Sequence, residues 1–186
     1  MRRLACLTVC GSVFLVGCQE PTMEMMEMKK PSPAPELAKL ERMVGNWDGT
    51  WEMLSPKPEE GAEPMSGTST GKFSWTMGGM FLMGAGVVDI GEGKMMNYVE
   101  YWTWDPQAKK YRSWFFSDWG ESGESTFSLS ADGNSMKGTF AGMDGEGHKK
   151  SGGGELTWVD NNTMEGTWHE TGPMGNIKMK WTSKRK

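Results

Sequence analysis

From Trp47 onward the chain breaks into short segments that alternate apolar and polar residues, with Gly, Asp, Asn and Pro between them at nearly regular intervals. Strand side chains point to opposite faces in turn, so each segment has one side to bury and one to leave in water. Candidate strands cover residues 46–54, 67–77, 80–90, 94–104, 110–118, 123–130, 134–142, 153–159, 163–170 and 175–183. The alternation is clearest late in the chain, where Met164, Gly166 and Trp168 oppose Glu165, Thr167 and His169, and Ile177, Met179 and Trp181 oppose Lys178 and Lys180. Asp105-Pro106, Asp132-Gly133-Asn134 and Asp160-Asn161-Asn162 supply turn chemistry where hairpins need it. The pattern predicts an all-β fold, an antiparallel up-and-down β-barrel of about ten strands. A membrane-spanning barrel also alternates. The Gly, Ser and charge content of these segments, and an end without a terminal aromatic, favour a barrel in water.

One short helix precedes the barrel. Leu37, Leu40, Met43 and Val44 recur at helical spacing, with Ser32 or Pro33 at the start and Gly45 at the stop. Such a helix should cover one end of the barrel.

The run Leu40-Glu41-Arg42-Met43-Val44-Gly45-Asn46-Trp47-Asp48-Gly49-Thr50-Trp51 resembles the start of a bacterial family of unknown function with secreted members, where a short helix leads into a Gly-x-Trp strand. The same opening is similar to that of lipocalins and other calycin barrels. Looser matches follow at Gly67-Thr68-Ser69-Thr70-Gly71, Gly78-Gly79-Met80-Phe81-Leu82, Trp104-Asp105 with Lys110-Tyr111 and Trp114, and Lys178-Met179-Lys180-Trp181-Thr182. The resemblance spans residues 36–186 and implies a closed, lipocalin-like barrel with no assigned activity. The chain departs from it in its load of 10 Trp and 18 Met.

The amino terminus reads as an export signal over residues 1–17. Arg2 and Arg3 precede an apolar stretch, and Leu15-Val16-Gly17-Cys18 resembles the bacterial lipobox. The stretch is far shorter than the ~20 apolar residues that span a bilayer. Cleavage before Cys18 and acylation of its sulfur would tie the chain to a membrane. Gln19, rather than Asp, follows that cysteine, which favours the outer membrane facing the periplasm. Residues 18–35 then form a Met-, Glu- and Pro-rich tether, and residues 36–186 the barrel domain. The tether's methionines suit Cu(I), a soft ion, but the composition is that of a plain linker.

Cleavage removes Arg2, Arg3, Cys6 and Cys10, so the formal charge moves from −4 to −6 and Cys18 is the one cysteine left. A mildly acidic chain is unsuited to a phosphate backbone, so nucleic acid is not an expected partner. No thiol remains for a disulfide, a metal site or a nucleophile. A monomer is expected.

The motifs for chemistry are weak. Gly67-Thr68-Ser69-Thr70-Gly71 matches Gly-x-Ser-x-Gly, but a strand rather than a helix follows it. Residues 142–151 fall short of both a phosphate loop and a calcium loop, and read as a long, mobile hairpin loop continuing through Gly152-Gly153-Gly154. His148 and His169 form no metal-spaced pair. Asp118, Glu121 and Glu124 are expected to rim a strand end, solvated. Neither a catalytic residue, a cofactor nor a metal is implied.

The aromatic residues are the remaining signal. They either fill the barrel as core or line a pocket for a small apolar or aromatic ligand. The candidate pocket residues are Trp75, Tyr98, Glu100, Trp102, Arg112, Trp114 and Trp168, with Arg112 the expected partner of an inward-facing Glu100. The two functional readings are a lipid-anchored envelope protein that binds such a ligand, and a non-enzymatic interaction lipoprotein with a solid barrel.

Overall fold

The computed structural model describes residues 30–55 and 64–186. Cys18, the export signal and most of the tether lie outside the described residues.

Ten strands follow one another: β1 (Gly45–Ser55), β2 (Ser66–Thr76), β3 (Phe81–Asp89), β4 (Met95–Asp105), β5 (Lys110–Ser117), β6 (Ser122–Leu129), β7 (Ser135–Met143), β8 (Lys149–Trp158), β9 (Thr163–Gly172) and β10 (Gly175–Arg185). Each pairs antiparallel with its neighbours in sequence, and β10 returns to β1 to close the barrel. The expected turns form at one end. In each, an aspartate carboxylate accepts from a backbone N–H two residues on: Asp105 from Gln107 at 2.9 Å, Asp132 from Asn134 at 3.0 Å and Asp160 from Asn162 at 2.6 Å.

The preceding helix is a 3-10 helix, Pro35–Met43, with proline in its first turn. Leu37, Leu40 and Met43 are spaced by three. A 3-10 helix has three residues per turn, so they stack on a single face. All three are at most 3% exposed, whereas Val44 is half-buried. The start at Pro35, rather than at Ser32 or Pro33, corrects the sequence expectation. So does the tighter winding, which lets three apolar side chains point straight into the barrel mouth.

This helix plugs the turn-capped end. Its face packs on Trp47, Phe73, Leu82, Trp102, Phe127 and Trp158 in one continuous core. Polar contacts seat it: Trp47 Nε1 donates to the Met43 carbonyl at 2.7 Å and Tyr111 Oη to the Glu36 carbonyl at 3.0 Å. Arg185 donates to the carbonyls of Val44 and Arg42, and its guanidinium lies 4.4 Å from the Trp47 ring centre.

The alternation decides what faces out. Asp48, Thr50, Glu52, Thr68, Lys137, Glu155, Glu165, Thr167, Lys178 and Lys180 carry the parity opposite to the buried residues of their strands. An apolar inside with a charged outside is the inverse of a membrane-spanning barrel, whose outer band is apolar. No helix among the described residues is long and apolar enough to cross a membrane.

The predicted long loop through Gly152-Gly153-Gly154 does not form. These glycines lie within β8, and the turn is confined to residues 144–148. Composition alone reads a glycine run as a loop, but here the neighbouring strands require it. A Cβ on Gly154 would sit 2.1 Å from the Thr167 carbonyl oxygen and 2.8 Å from the Trp168 ring. Glycine in a strand marks such a close approach.

Candidate functional site

The two halves of the barrel interior differ. Below the plug, large side chains fill the space, and Trp102 stacks on Phe127 with ring centres 4.6 Å apart. Above that floor, the inward-facing Trp51, Tyr98, Glu100, Phe115, Phe140 and Trp168 are only half-buried. Ten strands make a wider barrel than the eight whose interior side chains just fill. The interior is therefore solid at the plugged end and accessible to water at the other.

The open half has aromatic walls. Tyr98 on β4 stacks with Phe115 on β5 at 5.9 Å, and Phe140 on β7 meets Trp168 on β9 edge-on at 5.6 Å. Glycines on adjacent strands let the rings lie back against the wall. A Cβ on Gly71 would meet the Tyr98 hydroxyl at 2.8 Å, and one on Gly84 would meet both Phe73 and Glu100 within 3.0 Å.

Glu100 lies between floor and wall. Its Oε2 accepts one hydrogen bond, from Trp102 Nε1 at 2.8 Å. It is deep within the protein, yet water still reaches it, as expected of a side chain on the wall of an open lumen. Burial pushes its carboxyl up to about 7, against the opposing hydrogen bond from Trp102. Burial, reinforced by the nearby Glu100, also raises the Tyr98 hydroxyl.

A carboxyl held protonated by the fold lowers stability once it must ionise. An unfolded chain releases this proton near 4.5, whereas the barrel holds it to about 7. Stability therefore falls as pH rises through that window and stays lowered above it. The full difference corresponds to roughly 3 kcal/mol, and water in the lumen brings the expected cost to about 1–2 kcal/mol. Glu100→Gln keeps an acceptor for Trp102 and removes the charge. It should raise stability by that amount near pH 8 and leave it unchanged near pH 4, measured by urea unfolding at both. An equal loss at both pH values would show that the side chain serves only as a hydrogen-bonding strut.

A second polar feature lies at the open rim. Lys150 Nζ sits 2.7 Å from Glu121 Oε1 and 2.9 Å from Glu170 Oε1, with only 11% of its side chain exposed. Burial opposes the ammonium charge, but the bonds to Glu121 and Glu170 outweigh it and hold Lys150 above its usual value. Glu121 is thus tied to a partly buried cation, not simply solvated as the sequence suggested. Asp118 accepts from Asn97, and Glu124 pairs with Arg112.

The residues proposed from sequence separate into four places. Tyr98, Glu100 and Trp168 line the open half. Trp102 forms its floor, and Trp75 belongs to the plugged end, donating to Glu41 Oε2 at 2.6 Å. Arg112 and Trp114 lie outside. Arg112 stands opposite Thr103, on the face away from Glu100, and its Nε donates to Glu124 Oε1 at 2.8 Å. The expected Glu100–Arg112 pair therefore does not form. The four-residue turn between Asp105 and Lys110 pairs even-numbered residues of β4 with odd-numbered residues of β5, so Glu100 stands opposite Phe115. Phe115, Phe140 and Trp51 escaped the sequence reading, although Phe115 could have been found from that turn length.

The motif Gly67-Thr68-Ser69-Thr70-Gly71 lies in β2. Ser69 faces inward beside Gly49 and Ser183. His169 is exposed on the outside of β9, and His148 sits in the β7–β8 turn 3.0 Å from Asp144. No group of three potential ligands among the described residues could hold a metal ion. A groove of about 850 Å³ crosses the outer wall, lined by Thr50, Trp51, Glu52, Glu165, Lys180 and Trp181 among others.

No family model matches the sequence, and no curated protein is detectably similar to it. Among solved structures, the barrel is similar to Rv2717c from M. tuberculosis, with a TM-score of 0.60 and 13% identity over 83% of this chain and 99% of that one. Lesser likenesses are to the barrel EF1p2_mFAP2b bound to DFHBI, with a TM-score of 0.46 and 10% identity over 81% of this chain and 98% of that one. The redesigned barrel mFAP1, also bound to DFHBI, follows at 0.39 and 16% over 79% and 98%. At these identities the likeness is one of fold.

Proposed function

We propose that this chain is a lipid-anchored protein of the cell envelope, held by an acylated Cys18, whose barrel receives a small, flat, largely apolar ligand at its open end. The observation that carries the binding reading is the contrast within the barrel. One half is sealed by the plug, while the other keeps aromatic walls and, in Glu100, a carboxyl with no cation beside it within reach of water. Apolar pockets with a few placed polar groups are the usual form of small-molecule sites. The lipobox carries the anchor, and Gln19 after the cysteine favours the outer membrane, facing the periplasm.

Native mass spectrometry of protein extracted from its own membrane tests both parts. The expected species starts at Cys18, carries acyl chains, and holds a non-covalent small-molecule adduct that leaves on activation. A chain that retains residues 1–17, or an acylated chain that is always empty under mild conditions, would refute the corresponding half.

A second reading rests on the outer wall of β3, β4 and β5. There Met83, Tyr101 and Trp114 stand in register, as do Ala85, Val99 and Phe116, and Phe116 is 45% exposed. An apolar strip of this kind on an otherwise charged barrel suits contact with another envelope component. A retained protein, rather than a small molecule, in the same spectrum would favour it.

A further inference from the structure

The lumen reading above can be taken one step further, to the charge of the ligand. We infer that the open half of the barrel binds an organic cation, a protonated amine on a flat apolar body, with its charge seated against Glu100.

Three observations converge. First, no cation among the described residues partners Glu100. Facing it are Tyr98 and Trp102 on its own strand, Gly84 on β3, Phe73 on β2 and Phe115 opposite on β5. None carries a positive charge, and the Tyr98 hydroxyl lies away over Gly71.

Second, the barrel's own inward cations are committed elsewhere. The inward positions of the ten strands carry two, Lys150 and Arg185. Lys150 is neutralised at the rim by Glu121 and Glu170. Arg185 is held at the plugged end by the carbonyls of Val44, Arg42 and Asn161. Among the described residues, counting Glu121 at the rim, carboxylates outnumber cations on the inward side of the open half, so an anion entering it meets like charge.

Third, the walls attract a cation. Aromatic rings carry negative potential on their faces, and Tyr98, Phe115, Phe140 and Trp168 all stand on the inward side of the open half. Once seated, an ammonium would draw the Glu100 carboxyl into its ionised form, because an opposite charge nearby favours that form. Binding would release a proton when it starts from the protonated barrel.

Three probes of one shape separate the possibilities: 1-naphthylmethylamine, 1-naphthalenemethanol and 1-naphthoate, titrated into the protein by calorimetry. Near pH 8 the amine should bind at least about tenfold more tightly than the alcohol, with the carboxylate weakest. Glu100→Gln should bring the amine down to the alcohol and leave the alcohol within about twofold. Amine affinity should also fall as the pH is lowered through about 7, while that of the alcohol stays level. Equal affinity for amine and alcohol would overturn the cation while leaving the lumen as a binding site. Tightest binding of the carboxylate would overturn it too. Failure of all three to bind would remove the lumen reading itself.

Discussion

Gly154→Val should destabilise the barrel by more than about 3 kcal/mol, although valine is much the better strand residue. Propensity alone would favour the substitution by up to about 1 kcal/mol. Packing opposes it more strongly. The first atom of any side chain at 154 would lie 2.1 Å from the Thr167 carbonyl oxygen, which belongs to the β8–β9 ladder. That oxygen cannot retreat without breaking the ladder. Trp168, 2.8 Å away, blocks the same space from the lumen side. Removing the indole with Trp168→Ala should therefore fail to rescue the variant, because the clash with the backbone remains. Gly172 provides the control. A Cβ there meets no backbone atom and first touches the Lys150 Cγ at 3.3 Å, which needs to shift by only a few tenths of an ångström, so Gly172→Ala should cost no more than about 1 kcal/mol. Urea unfolding followed by tryptophan fluorescence measures all of these. A Gly154→Val protein as stable as the parent would mean that the two strands do not approach this closely.

The second large effect concerns the plug. Leu40 is 1% exposed at the centre of the 3-10 helix. Truncating such a side chain typically costs 2–5 kcal/mol, depending on how far the surroundings collapse. Little collapse is available here, because the aromatic rings beneath are braced by the strands. Leu40→Ala should therefore cost about 3 kcal/mol and lower the melting temperature by roughly 6–12 °C. A 3-10 helix draws little stability from its own poor hydrogen-bond geometry. Loosening it should also uncover the core and increase binding of an apolar dye. Lys39→Ala, on the exposed side, should do neither.

Sequence and structure agree wherever the reason for a residue lies within its own strand. Met164 and Trp168, or Ile177, Met179 and Trp181, face inward because alternation needs no knowledge of the neighbour. The turns at Asp105, Asp132 and Asp160 are equally local. The misreadings arise where the reason lies elsewhere. Gly152-Gly153-Gly154 reads as a loop because the carbonyls and ring that require glycine belong to β7 and β9. Arg112 looked like a partner for Glu100 because both are polar and on adjacent strands, yet pairing parity puts them on opposite faces. The helix is legible in the sequence, but three apolar residues at a spacing of three suit a tighter winding than the usual α-helix. For the site, Tyr98, Glu100 and Trp168 were legible as one set of inward residues. The solid floor and the open upper half were not, because they depend on how far the plug reaches.

Closure also has a kinetic side. Nine of the seams join strands consecutive in the chain and can zip as hairpins, each within microseconds. The tenth joins β1 to β10, setting Trp47 opposite Arg185, and waits on the chain's most distant pairing. Until then the folding sheet has two free edges, the state most open to mispairing with another chain. Arg185 sits at this last seam, covering Trp47 and gripping the carbonyls at the end of the plug helix. One side chain thus latches strand to strand and lid to wall in the same step, so the interval of exposure ends when Arg185 arrives.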